Sequence, residues 1–288
     1  MSTPRQLIRD AAARLEAAGV PDPEHDAAVL LASVLKRPFL ELRLDQETET
    51  DFSDTVRFES LLYRRLSREP LQYILGETSF CGISFRTDYR ALIPRPETEL
   101  LCGWASEILE KRPAGRVLDL CCGTGCIGLV LKKRFPGFSV TLADLSAQAL
   151  SLAMENAEWL ECDVNFVSSD LFSRLSGRRF DLICSNPPYI PTADCLSLQK
   201  EVRQEPVIAL DGGEDGLDFY RIIAEDAPVH LVPGGYLLLE LGYGEAEEVS
   251  QMLSSHGFEE IQVRKDDRMI DRMICARYPD GGQDVSEA

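Results

Sequence analysis

The feature that most constrains the fold is the regular exchange of short apolar runs and amphipathic stretches that begins at Val117. Val117-Leu118-Asp119-Leu120 reads as a buried strand, Ile127 to Leu131 begins a helix, Ser139 to Leu142 is a second strand, and Ala147 begins a second helix. Val164-Asn165-Phe166-Val167 and Phe180 to Cys184 follow as strands three and four. A helix over 217–231 leads through Pro233-Gly234-Gly235 to a fifth strand, Tyr236 to Leu241. A last helix over 245–254 precedes the runs Ile261-Gln262-Val263 and Met273-Ile274-Cys275-Ala276. Strands that alternate with helices are joined by crossovers, and these cover both faces of a parallel sheet. The pattern predicts an α/β fold: a doubly wound, mostly parallel sheet with antiparallel strands at its end.

The chain before Val117 has another character. Leu7, Ile8, Ala11 and Leu15, then Ala27, Ala28, Leu31, Val34 and Leu35, then Phe58, Leu61, Leu62 and Leu66 recur at helical spacing, and Pro21-Asp22-Pro23 separates the first set from the second. Phe80, Ile83, Phe85 and Tyr89 around Gly82 suggest a β-hairpin. The expected organisation is a helical bundle over 1–75, a hairpin linker over 76–92, a catalytic domain over 93–278 and a disordered acidic tail over 279–288.

The 288 residues are 44% hydrophobic, enough for one large domain or two ordinary ones. With no apolar run of about 18 residues and no apolar leader, a soluble, cytoplasmic protein is expected, with no membrane partner. The nine cysteines include no C-x-x-C pair, and they read as free thiols in a reducing compartment. His25, His230 and His256 are scattered and suggest no metal site. A net charge of −18 argues against a protein that grips nucleic acid, which normally presents a basic face. Arg64-Arg65 with Arg68 is the nearest basic cluster and reads as the solvated face of a helix.

Two loops carry the chemistry. Asp119-Leu120-Cys121-Cys122-Gly123-Thr124-Gly125 joins the first strand to its helix, at the end of the sheet where such folds bind ligands. Gly123 and Gly125 permit a tight backbone and close ligand approach. Asp144, ending the second strand, can accept both hydroxyls of a ribose, and Asp170, after the third, can reach an adenine edge. Gly123-x-Gly125-x-x-Gly128 also fits a dinucleotide fingerprint, but Asp119 would repel a pyrophosphate and suits the ammonium of an amino-acid group. The second loop is Asn186-Pro187-Pro188-Tyr189. The Asn186 amide oxygen and the Pro187 carbonyl offer two acceptors, the prolines stiffen the loop, and Tyr189 adds a flat face. Together they form a socket for a planar –NH2 group. An adenosine ligand with an amino-acid end beside such a socket points to S-adenosylmethionine and N-methylation.

At this point the chain resembles a known family. Val117-Leu118-Asp119-Leu120-x-x-Gly123-Thr124-Gly125 is similar to the first motif of class I methyltransferases, which have a Rossmann-like fold. Asn-Pro-Pro-Tyr is shared by enzymes that methylate amide or exocyclic amino nitrogens, adenine-N6 DNA enzymes among them. Arg68-Glu69-Pro70-Leu71-Gln72-Tyr73-Ile74-Leu75-Gly76, Leu92-Ile93-Pro94-Arg95-Pro96-Glu97-Thr98-Glu99, Glu205-Pro206-x-x-Ala209-Leu210-x-Gly212 and Gly216-Leu217 resemble the release-factor glutamine methyltransferases (the HemK/PrmC family), over about 5–277.

The resemblance implies a catalytic set of Asn186, Pro187 and Tyr189, with Pro188 completing the substrate socket. It implies a cofactor set of Asp119, Cys121, Cys122, Gly123, Thr124, Gly125, Asp144, Asp170, Leu171 and Asn186. It further implies S-adenosylmethionine as cofactor, S-adenosylhomocysteine as product and the Gly-Gly-Gln loop of class-1 peptide chain release factors as substrate. Because the bundle carries no reactive constellation, a substrate-binding role is expected for it, and a monomer is expected. An adenine-N6 nucleic-acid methyltransferase and a non-catalytic adaptor are the alternatives. Cys121 stands where the loop's first glycine is usual, and the backbone there must accept a Cβ. Asp266 to Arg272 lacks a glycine expected in that segment, and no function is carried onto it. Arg95, Glu97 and Glu99 read equally as a border of the cleft or as a helix start with Pro96 at its first position. Glu205 with Arg203 reads as a partner contact or a surface pair. Gly281-Gly282-Gln283 in the tail reads as coincidence.

Overall fold

The computed structural model describes residues 2–45 and 48–281. The chain divides into two compact units, one formed by Met1–Glu77 with Gln199–Gln204, the other by Thr78–Leu198 with Glu205–Ala288. The Gly281-Gly282-Gln283 run lies, beyond Gly281, outside the described residues.

The first unit is helical: α1 (Pro4–Ala17), α2 (Pro23–Leu35), α3 (Phe39–Leu44), α4 (Phe52–Leu66) and α5 (Leu71–Leu75). Thr3 and Gln6 close a capping box on α1, and Pro4 and Pro23 occupy the first helical positions, where a missing N–H costs nothing. Ile8, Leu15, Leu30, Leu31, Leu42, Phe58 and Leu62 share one buried core. The arginines of α4 correct the expectation of a solvated face. Arg65 is 4% exposed. Its Nε meets Asp26 Oδ2 at 2.7 Å and its Nη1 meets Glu201 Oε1 at 2.9 Å. Arg68 pairs with Glu201 at 2.6 Å and Arg64 with Glu69. The cluster is neutralised from within its own unit.

In the second unit, β1 (Glu77–Phe80) and β2 (Ile83–Arg86) form the hairpin, and α6 (Pro96–Leu109) follows. Then come β3 (Arg116–Leu120), α7 (Cys126–Arg134), β4 (Ser139–Asp144), α8 (Ala147–Trp159), β5 (Asn165–Ser168), β6 (Phe180–Ser185), the short α9 (Thr192–Cys195), α10 (Asp218–His230), β7 (Leu231–Glu240), α11 (Ala246–Ser255), β8 (Glu259–Lys265) and β9 (Asp271–Arg277). The sheet order is β5-β4-β3-β6-β7-β9-β8. Strands β3 to β7 pair in parallel, and β9 runs antiparallel to both its neighbours. β7 starts at Leu231, before the expected Tyr236, with its pairing to β6 irregular between Phe180 and Leu182, so the Pro233-Gly234-Gly235 segment sits at a bulge, where a proline is tolerated.

Successive strand residues face opposite sides, and the two cores show it. Val117, Val140, Leu142, Leu182, Cys184 and Leu238 pack with α6, α7 and α8. Leu118, Ala143, Ile183, Leu237 and Leu239 pack with α10 and α11. This burial fixes the strand register, and with it the level at which each strand releases its loop.

Candidate active site

The strand order reverses between β3 and β6, the place where an open α/β sheet forms its ligand crevice. An open cavity lies there. The loop after β3 lends it Cys121 and Gly123, the end of β4 lends Asp144, the loop after β5 lends Ser169, Asp170 and Leu171, and the loop after β6 lends Asn186 and Pro188.

The first loop turns on three left-handed residues, Cys121 (φ 59°), Gly123 (φ 54°) and Gly125 (φ 78°). The cysteine at the usual glycine position thus keeps a glycine-like backbone, at a cost of about 1–2 kcal/mol for its Cβ. Burial and the Asp144 charge push its thiol up, so it is neutral and no nucleophile. Gly128 lets α7 lie on β4: a Cβ there would stand 2.2 Å from Leu142 Cδ2. Asp144 Oδ2 accepts the Gly123 N–H at 2.8 Å, and Oδ1 accepts the Ser146 N–H at 2.8 Å. Burial raises the Asp144 carboxyl while these backbone donors pull it back.

Four expected cofactor residues stand behind the wall instead of on it. Asp119 is fully buried; its Oδ2 accepts the Gly128 N–H at 2.8 Å, and its Oδ1 has no hydrogen-bond partner among the described residues. Burial drives its carboxyl well above the usual range. Cys122 and Gly125 pack into the core side of the loop, and the Thr124 carbonyl accepts from Asn156 Nδ2 at 3.0 Å. Asn156, which the sequence did not mark, also exchanges two hydrogen bonds with the Arg86 backbone and so ties α8, the hairpin and the loop together.

The Asn186-Pro187-Pro188-Tyr189 loop starts where β6 ends. Asn186 Nδ2 donates to Thr98 Oγ1 at 3.2 Å, and Thr98 Oγ1 donates to Glu240 Oε2 at 2.6 Å. The Tyr189 hydroxyl donates to Glu240 Oε1 at 3.2 Å. Tyr189 lines a neighbouring hollow with Gly242 and Glu245, whereas Asn186 and Pro188 line the first cavity. Glu240 ends β7 and is 1% exposed. Burial raises its carboxyl to about 7, against the pull of Thr98 and Tyr189. Thr98 was visible only as part of a motif, and Glu240 was missed. Its one signal is an acid closing the apolar run Leu237-Leu238-Leu239.

The remaining polar residues make internal ties within this unit. Arg95 is the N-cap of α6 and pairs with Glu205. Glu205 is 4% exposed and also accepts the Ile93 N–H at 2.9 Å. Burial thereby corrects the surface placement expected for Glu205, which is an internal anchor. Glu99 accepts the Cys81 N–H at 2.9 Å and ties α6 to the hairpin.

Strand order, glycine loop and strand-end acid define a class I methyltransferase fold. A crystal structure of a methyltransferase from Pyrococcus furiosus aligns with a TM-score of 0.52 at 17% identity, covering 78% of this chain and 99% of that one. The hMettl16 catalytic domain, in complex with a 3'UTR hairpin, aligns with a TM-score of 0.55 at 15% identity, covering 84% of this chain and 86% of that one. Residues 99–205 match the methyltransferase small domain, and residues 6–76 match the PrmC N-terminal domain. The release factor glutamine methyltransferase of Deinococcus radiodurans is 45% identical over 279 residues, 96% of this chain and 99% of that protein. The enzyme of that name from Geobacter sulfurreducens is 43% identical over 261 residues, 90% of this chain and 91% of that protein. The chain belongs to the release factor glutamine methyltransferase family.

Proposed function

We propose that this chain transfers a methyl group from S-adenosylmethionine to the side-chain amide nitrogen, N5, of the glutamine in the Gly-Gly-Gln motif of class-1 peptide chain release factors. The observation that carries the reading is Asn186 on the wall of the same cavity as Gly123 and Asp144, in a chain of this family.

The residues fit the cofactor. Among the described residues, apart from its two chain neighbours, nothing lies within 4 Å of where a Cβ would stand on Gly123, so that side of the loop is open to close approach. The Asp144 oxygens accept the Gly123 and Ser146 N–H groups, and a carboxylate has acceptor capacity left over, which suits a ribose diol. Asp170 is exposed on the wall and offers an acceptor to a base amino group. When bound, S-adenosylmethionine supplies a sulfonium methyl, an electrophilic carbon. The chain's own residues act on the acceptor. A glutamine nitrogen is a weak nucleophile because its lone pair is delocalised into the carbonyl. Asn186 Oδ1 and the Pro187 carbonyl accept its two hydrogens, which raises electron density on nitrogen and fixes its direction. Tyr189, anchored on Glu240, places its ring beside the amide plane. The proton leaves after the N–C bond forms, so no strong base is needed in the socket.

The adenine-N6 alternative shares the tetrapeptide but needs a basic face. The net charge is −18, and Arg64, Arg65 and Arg68 are held in ion pairs. The helical unit has no reactive constellation, and its role in this reading is to bind the release factor. Mass spectrometry of a purified release factor, incubated with this protein and S-adenosylmethionine, tests the reading. One added methyl on the glutamine of the Gly-Gly-Gln peptide is expected; an unmodified peptide overturns it.

A further inference from the structure

We propose that Thr98 and Glu240 are positioning residues that hold the Asn186 side chain with its oxygen towards the substrate amide and its –NH2 away from it. The inference rests on the reading of the site as a socket for a glutamine amide. Its basis is the direction of three hydrogen bonds.

An ionised carboxylate can only accept. Glu240 accepts on both oxygens, from Thr98 Oγ1 at 2.6 Å and from Tyr189 at 3.2 Å. Thr98 has one hydroxyl hydrogen, and Glu240 takes it. Thr98 is left with lone pairs, so its neighbour on the Asn186 side must donate. Asparagine donates only through its nitrogen, so Nδ2 faces Thr98 at 3.2 Å. Oδ1 becomes the end available to a substrate –NH2. The direction of the whole chain follows from the charge on Glu240.

Protonating Glu240 removes that direction. Its O–H can then donate to Thr98, the Thr98 hydroxyl is freed to donate to Asn186 Oδ1, and a flipped amide turns –NH2 towards a substrate –NH2. Two donors facing each other hold nothing. Glu240 is faced by Thr98 and Glu97 from α6, Tyr189 from the loop after β6, and Arg272 from β9; Glu97 raises its carboxyl and Arg272 lowers it. With burial these place its ionisation at about 7, inside the range an assay can scan.

The test uses the full chain labelled with 15N at asparagine, where Asn156, Asn165 and Asn186 give the side-chain –NH2 signals and Asn186→Asp identifies the one of interest. In the parent and in Thr98→Ser, the Asn186 signals should follow one ionisation near pH 7. In Thr98→Val most of that response should vanish, and in Glu240→Gln it should be absent. In parallel, parent kcat should rise through the same ionisation. Thr98→Val should lower kcat about tenfold with KM and cofactor affinity unchanged, and Thr98→Ser should restore it. Parent Asn186 signals indifferent to pH, or a folded Thr98→Val with parental kcat and pH profile, would overturn the proposal. If the signals follow Glu240 but no release factor is methylated, the positioning stands and the glutamine reading fails.

Discussion

Asp144 accepts the Gly123 backbone N–H at 2.8 Å, so the acid proposed to hold the ribose also sets the shape of the glycine loop beside it. Its other oxygen is tied to Ser146 N, which fixes the carboxylate plane. One residue therefore orders two strand ends around the cavity.

Asp144→Asn keeps the size and spoils this arrangement, because its –NH2 must face a backbone N–H. S-adenosylmethionine affinity, measured by calorimetry, should fall on the order of 100-fold, and NAD should not compete in the parent. Unchanged affinity would remove Asp144 from the site.

Cys121 carries a Cβ at φ 59°. Cys121→Gly relieves that contact and should stabilise the folded chain by up to about 1 kcal/mol, net of the glycine's greater freedom when unfolded. The readout is the thermal midpoint, with cofactor affinity within a few fold of the parent. A clearly lower midpoint would show that the thiol's packing outweighs the strain.

Glu240 has a pH signature in stability as well as activity. Its carboxyl is raised from 4.5 to about 7 in the folded chain. The neutral form is favoured by folding, so its contribution is complete below 4.5 and is lost as the pH rises through about 7. Glu240→Gln stays neutral throughout. It should gain stability over the parent at pH 8, by at most about 3 kcal/mol, and little at pH 5. Denaturant unfolding at the two values reads the difference, and an equal difference at both would contradict the assignment. An ionised Glu240 thus lowers stability while it directs Asn186.

Arg65 neutralises Asp26 and Glu201 inside the helical unit. Arg65→Ala leaves the nearly buried Asp26 carboxylate without its cation and should cost about 3–5 kcal/mol in unfolding experiments. A loss below about 1 kcal/mol, typical of exposed pairs, would show that Asp26 is better solvated than its burial indicates.

The doubly wound sheet was legible because strands and helices carry different periods, and burial on both faces leaves long apolar runs such as Val117-Leu118 and Leu237-Leu238-Leu239. The cavity wall was legible because its residues sit at strand ends, where the fold places ligand loops. The support beneath it was not. Thr98 and Glu240 are 142 positions apart, and only the folded sheet joins them. The burial of Arg65 and Glu205 was hidden for the same reason: a charged residue reads as solvent-facing until its distant partner, Glu201 or Ile93, is known. The burial of Asp119 was not legible either: its loop position shows an acid beside the crevice, and only the fold shows its bond to the Gly128 N–H.

If Asn186 holds the acceptor amide, single-turnover methyl transfer to a release factor by Asn186→Ala and Asn186→Asp reads it directly, with cofactor affinity and thermal unfolding followed in parallel. Both variants should fold and bind S-adenosylmethionine, with Asn186→Ala about 10²–10³-fold slower and Asn186→Asp retaining part of what alanine loses. Two folded variants that transfer methyl at the parental rate would contradict that role.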